Sequence, residues 1–134
     1  MKLLQLDGGQ NKVVAAYSNR GDDIPVIDFL INVPSDMSSH VNGIQDLFER
    51  YAHHGRDGLT SVQFHESDKN KGIWAFRKGR LRIYCFIDEG QLIATHGAIK
   101  STQKAKLSDV NRAERVKLRY FTDKQAGNIE LEID

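Results

Sequence analysis

The stretch THGAIKSTQKAK, from Thr95 to Lys106, gathers one histidine (His96) and three lysines (Lys100, Lys104 and Lys106) in twelve residues with no acid among them. Just upstream, Arg77, Arg80 and Arg82 fall within six residues. These side chains share a chemistry. An arginine guanidinium is a planar fork of N–H donors that meets two phosphate oxygens at once and never loses its charge. Lysine is a point charge for the same oxygens, and it enters acid–base work when neighbouring cations lower its pKa. Histidine exchanges protons near neutrality. The common target is an anion whose charge lies on oxygens.

The distribution of charge agrees. The net charge of the chain is only +1, but residues 1–70 carry −4, residues 71–124 carry +8 and the last ten carry −3. An asymmetry of this kind points to an anionic partner for the second half. A solvated basic surface balanced by acids nearby in space is the alternative.

Other classes are disfavoured. No apolar run approaches the ~20 residues of a membrane span, and the start, MKLLQLDGG, lacks the apolar stretch and cleavage site of a signal peptide. The single cysteine, Cys85, excludes an intrachain disulfide and sits in IYCFI, where it reads as a buried structural thiol. His53 and His54 are adjacent rather than four apart, so they do not share a helical face as a ligand pair would. We expect no metal, no cofactor and no membrane, a cytoplasmic location, and one domain over 1–134 with an extra acidic segment at 125–134.

The elements that must position these side chains follow from periodicity. KVVAAY reads as a short strand. PVIDFLIN reads as a short helix with Asp23 as its cap, ending before Pro34. Val41, Ile44, Leu47, Phe48, Tyr51 and Ala52 share one face of a second helix, capped by Ser38 or Ser39 and ended at Gly55. GIWAFRK, LRIYCFI and QLIATHGAI, separated by short turns, predict an antiparallel meander that pairs 73–78 with 81–87 and 81–87 with 91–99. Alternation puts Trp74 and Phe76 on one face, Ile73, Ala75 and Arg77 on the other, and sets Arg82, Tyr84 and Phe86 opposite to Leu81, Ile83 and Cys85. A basic third helix is predicted from about Ser108 to Thr122, and the tail NIELEID reads as an edge strand or a disordered acidic end.

Gly72, Trp74, Arg77, Arg82, Tyr84, His96, Gly97, Lys100, Thr102, Lys104, Asp109, Ala113 and Arg115 together carry a resemblance. The segment from about 71 to 122 resembles the RelE/HigB superfamily of bacterial toxins, and most of all its phage-derived, HigB-like branch. One departure is AFR at 75–77, where the family usually has an acidic residue before the apolar one. The resemblance implies an α+β fold, a small twisted antiparallel sheet with helices packed beside it. It also implies the toxin of a type II toxin–antitoxin system: a metal-independent mRNA interferase that acts on messenger RNA at the ribosome and is silenced by a cognate antitoxin, of helix-turn-helix type. A ParE-like inhibitor without catalysis, or an inert phage-derived relative, is the alternative within the same superfamily. A phage structural or adaptor protein is a third. On the interferase reading Arg82, Lys100 and His96 are the candidate catalytic residues, and Arg77, Arg80 and Lys104 the RNA contacts. For His96 the alternative is a backbone contact in a tight turn, for Arg82 a structural salt bridge to Asp46 or Glu49. Tyr84 and Trp74 read as core, and Tyr120 as either a packing residue or a late addition to the site.

Overall fold

In the computed structural model, which describes residues 1–101 and 106–133, the elements run β1 (Lys2–Gly8), β2 (Lys12–Ala16), α1 (Pro25–Ile31), α2 (Ser38–His54), β3 (Phe64–Asp68), β4 (Ile73–Lys78), β5 (Leu81–Asp88), β6 (Gln91–Ile99), α3 (Leu107–Gln125) and β7 (Glu130–Glu132). The meander 73–99 forms as its alternation predicts. Its turns are set by local chemistry. Gly79 takes φ 55° between β4 and β5, and Glu89 and Gly90 take φ 50° and 86° between β5 and β6. Positive φ at both central residues is what a type I′ hairpin turn requires.

Among the described residues, seven strands form one sheet in the order β3-β4-β5-β6-β2-β1-β7. The sheet is mixed rather than purely antiparallel. β2 runs parallel to β6, and β7 parallel to β1. The N-terminal hairpin docks on the free edge of the meander and extends it. β1, KLLQLDG, was not anticipated because its apolar residues do not alternate cleanly. β3, FHESD, has no sequence signal of its own, because it carries one apolar residue and lies at the sheet edge. The tail 130–132 is an edge strand, the first of its two readings.

Helices cover both faces, so the chain is an α+β layered fold with three helices beside the sheet, consistent with a RelE-like architecture. α1 and α2 close one face over Val13, Phe76, Leu81, Ile83 and Cys85; α3 packs on the other over Ile73, Phe86 and Ile93 through Val110, Ala113 and Tyr120. The predicted stripe of α2 is buried at Ile44, Leu47, Phe48, Tyr51 and Ala52, and Gly55 ends the helix at φ 65°. Its predicted cap is wrong. A 3-10 turn at Ser35–Met37 runs straight into the helix, so Ser38 is already helical (φ −61°, ψ −31°) and its hydroxyl donates to Ser35 O. Asp23 does not cap α1 either. Ile24 holds that position, and Asp23 Oδ1 instead accepts from Ser18 Oγ. The α1 layer is brought close to the sheet by Gly97, where any Cβ would collide with the Phe29 ring. No helix among the described residues is long and apolar enough to cross a membrane.

Candidate functional site

Alternation along β3–β6 delivers two cross-strand rows to the α3 face. One row is His65, Ala75, Tyr84 and His96; the next, nearer the β4–β5 turn, is Arg77, Arg82 and Ala98, with Lys100 just beyond. The C-terminal half of α3 packs at the far end of the sheet, where Tyr120 Oη donates to Asp88 Oδ2 at 2.7 Å. Tyr120 is therefore a packing residue. The first turn of α3, with Asp109, stands beside His96.

Arg77 and Arg82 are directly opposite one another in the β4–β5 register. Like charges so placed repel across roughly 5 Å of backbone separation and destabilise the sheet. Arg82 is also buried, at 8 % exposure. Among the described residues it has no carboxylate partner, and the salt bridge to Asp46 or Glu49 does not exist: both acids lie on α2, across the sheet. Instead Nη1 donates to Gly79 O at 2.7 Å and Leu81 O at 2.9 Å, which ties the guanidinium to its own hairpin turn. Nε and Nη2 make no hydrogen bond among the described residues. Burial first, then Arg77, lowers the pKa of Arg82. The guanidinium keeps its charge regardless.

Lys100 is equally buried, and burial, then Arg82 and Arg77, pulls its ammonium pKa down while Asp109 opposes. Its backbone is fixed to the neighbouring turn: Lys100 N donates to Arg80 O and Arg80 Nε donates to Lys100 O, both at 2.8 Å. Arg80 is exposed at the rim. Lys104 lies outside the described residues.

His96 is placed differently from a surface acid–base group. It is 1 % exposed, and its ring stacks on Tyr84 with centroids 5.1 Å apart. A β-bulge makes this possible. The register shifts between Tyr84 and Cys85, so Thr95 is the extra residue of β6 and lies beside His96. Burial, then Arg112, pushes the imidazole pKa down to about 4 against the pull of Asp109. The ring is therefore neutral at pH 7. In the neutral ring Nε2–H donates to Asp109 Oδ1 at 3.2 Å, and the Thr95 hydroxyl shares its one proton between His96 Nδ1 at 2.9 Å and Tyr84 O at 3.2 Å. Both nitrogens are engaged within the protein.

His65 was missed by the sequence reading. It sits on the edge strand β3, and its Nδ1 is buried with no hydrogen-bond partner among the described residues. Burial, then Arg77, Arg82 and Lys100, lowers its pKa. Tyr84 Oη is orphaned in the same way, two strands along the same row, and only the small Ala75 separates the two. Buried polar atoms without partners are uncommon, and these two stand in the row next to the cluster of Arg77, Arg82 and Lys100. The signal that finds His65 is its pairing with Ala75, which requires β3 to be recognised as a strand.

Chemically, this cluster offers a buried guanidinium, a second, half-buried arginine, a lysine of lowered basicity and an imidazole whose Nδ1 has no partner among the described residues. Such a set can bind a phosphodiester and favour charge gained on its oxygens. No individual curated protein matches the chain. Residues 34–117, more than half of the chain and including β3 to β6 and most of α3, match the phage-derived protein Gp49-like family (DUF891), and the chain belongs to that family, one associated with toxin–antitoxin toxins of the RelE/HigB kind.

Proposed function

We propose that the chain is the toxin of a type II toxin–antitoxin system and cuts messenger RNA at the ribosome without a metal, its activity blocked by a cognate antitoxin of helix-turn-helix type. The observation that carries this reading is Arg82, buried without a carboxylate partner among the described residues and directly opposite the half-buried Arg77, with His65 in the neighbouring row. In such a reaction the RNA 2′-oxygen attacks the adjacent phosphorus, its proton leaves, and the 5′-oxygen departs with a proton. Arg82 stabilises the phosphorane, which carries more negative charge than the diester, so its donors count for more in the transition state than in the ground state. Arg77 completes the clamp, and Lys100 holds the phosphate and protonates the leaving oxygen. His65 takes the 2′-OH proton. His96 is a positioning residue that holds Asp109 and the first turn of α3, and Arg80 and Lys104 are peripheral backbone contacts.

The test is mRNA cleavage in a ribosome-programmed extract. Arg82→Ala should lower the rate roughly 10²–10³-fold with an unchanged melt. Arg82→Lys should rescue poorly, because it keeps the charge and loses the fork. Activity should fall as pH drops through the lowered His65 pKa, below 6.5, and His65→Gln should abolish that limb. Arg82→Ala cutting at the parent rate would move the active site elsewhere. A parent that leaves RNA intact but poisons gyrase would support the ParE-like alternative.

A further inference from the structure

We propose that Arg112 and Arg115, on the exposed side of α3, form a phosphate-binding rail that continues from the Arg77, Arg82 and Lys100 cluster, along which the same RNA strand runs beyond the cut site. The proposal rests on the RNA reading above. It starts from a division among the basic residues of α3. Lys117 Nζ donates to Lys71 O at 2.7 Å, Arg119 Nη2 to Tyr17 O at 3.1 Å, and Lys124 Nζ to Asp88 Oδ2 at 2.6 Å. Those three are used in holding the helix to the sheet. Arg112 and Arg115 are exposed and have neither a hydrogen bond nor an ion pair among the described residues.

Two arginines three positions apart are neighbours on a helix surface, and their like charges repel. An anion lying across both would relieve the repulsion. Their place in the fold supplies the rest. Asp109, in the first turn of the same helix, bonds to His96 in the row beside Arg77, Arg82 and Lys100, so the rail begins one turn along α3 from that cluster. A pocket of about 160 Å³ also opens against Arg112, with Asn19 on its wall.

Binding of two uncleavable 2′-O-methyl oligoribonucleotides, a 4-mer that spans only the Arg77, Arg82 and Lys100 cluster and a 12-mer that reaches the rail, separates the possibilities by fluorescence anisotropy across a salt series. The parent should hold the 12-mer more tightly. In the double variant Arg112→Gln/Arg115→Gln the 12-mer should weaken about tenfold, and the slope of log affinity against log salt should become shallower by about 1.4, two contacts at ~0.7 each. The 4-mer should be unaffected, and the melt unchanged. An unaltered 12-mer affinity overturns the rail, and so does an equal loss on both lengths, which would be a general effect of charge. Arg82→Ala should weaken both oligomers. If it weakens neither while the double variant weakens the 12-mer, the Arg82 cluster is not the RNA site and the rail stands alone. If the parent binds neither oligomer, the rail falls, and cleavage in the ribosome-programmed extract decides the RNA reading separately.

Discussion

Phe64, Phe76 and Ile83 pair across three strands on the α2 face, and His65, Ala75 and Tyr84 pair across the same strands on the α3 face. The two rows are one residue apart in sequence. The first is sealed. Phe76 is fully buried, with the rings of Phe64 and Phe48 at 4.7 and 5.1 Å from its own and Tyr51 at 6.3 Å. The second keeps orphaned polar atoms and an opposed pair of cations. A strand presents alternate residues to alternate faces, so the same backbone can hold a close-packed core on one side and an unfinished polar surface on the other. The α2 side stabilises the fold, and this stability offsets the repulsion kept on the α3 side.

The contrast can be broken most forcefully at Phe76. Phe76→Ala should cost about 3–5 kcal/mol, because a ring enclosed by three others leaves a cavity that the sheet cannot collapse. Urea unfolding measures it, and a loss below about 1 kcal/mol would mean that the α2 face is not the sealed one. Next comes acid. The unfolded His96 has the ordinary pKa of 6.5 and the folded one about 4, so the unfolded chain binds the proton first. Stability on this account is whole above pH 6.5 and is lost as pH falls from 6.5 towards 4, by up to about 3 kcal/mol. Arg112 and Arg115 deepen the loss and Asp109 opposes it. His96→Gln should remove the difference in slope between pH 6.5 and 4, and parallel pH curves for parent and variant would show His96 to be protonated in the fold. The smallest effect is expected at Tyr84. Removing an orphaned hydroxyl removes an unmet desolvation cost, so Tyr84→Phe should leave stability unchanged or raise it by up to about 1 kcal/mol. A clear destabilisation would mean that the hydroxyl has a partner and the row is closed.

Much of this was legible beforehand where a signal is local. Two-residue turns and alternation placed β4 to β6 and sorted Trp74 and Phe76 from Ala75 and Arg77, and three- and four-residue spacing fixed the buried stripe of α2. The candidate arginines were found as types, since a cation within an apolar strand is conspicuous by itself. Elements whose identity depends on a neighbour are missed or left open in the sequence. β3 is a strand because β4 offers it a ladder, and β7, for which an edge strand is one of two readings, because β1 does. The two missing helix caps failed for a related reason: a 3-10 turn and a local Ser18–Asp23 bond took the groups involved.

What the amino-acid sequence by itself determined was therefore the alternation of the meander, the apolar stripe of α2 and the concentration of positive charge after residue 70, because each is written in residues close along the chain. Only the tertiary structure decided that β2 lies parallel to β6, that Arg77 faces Arg82 with no acid between them, that a bulge brings Thr95 to His96, and that His65 joins the cations from an edge strand. Those facts depend on register between strands far apart in the chain, and register is set by which faces find something to bury against.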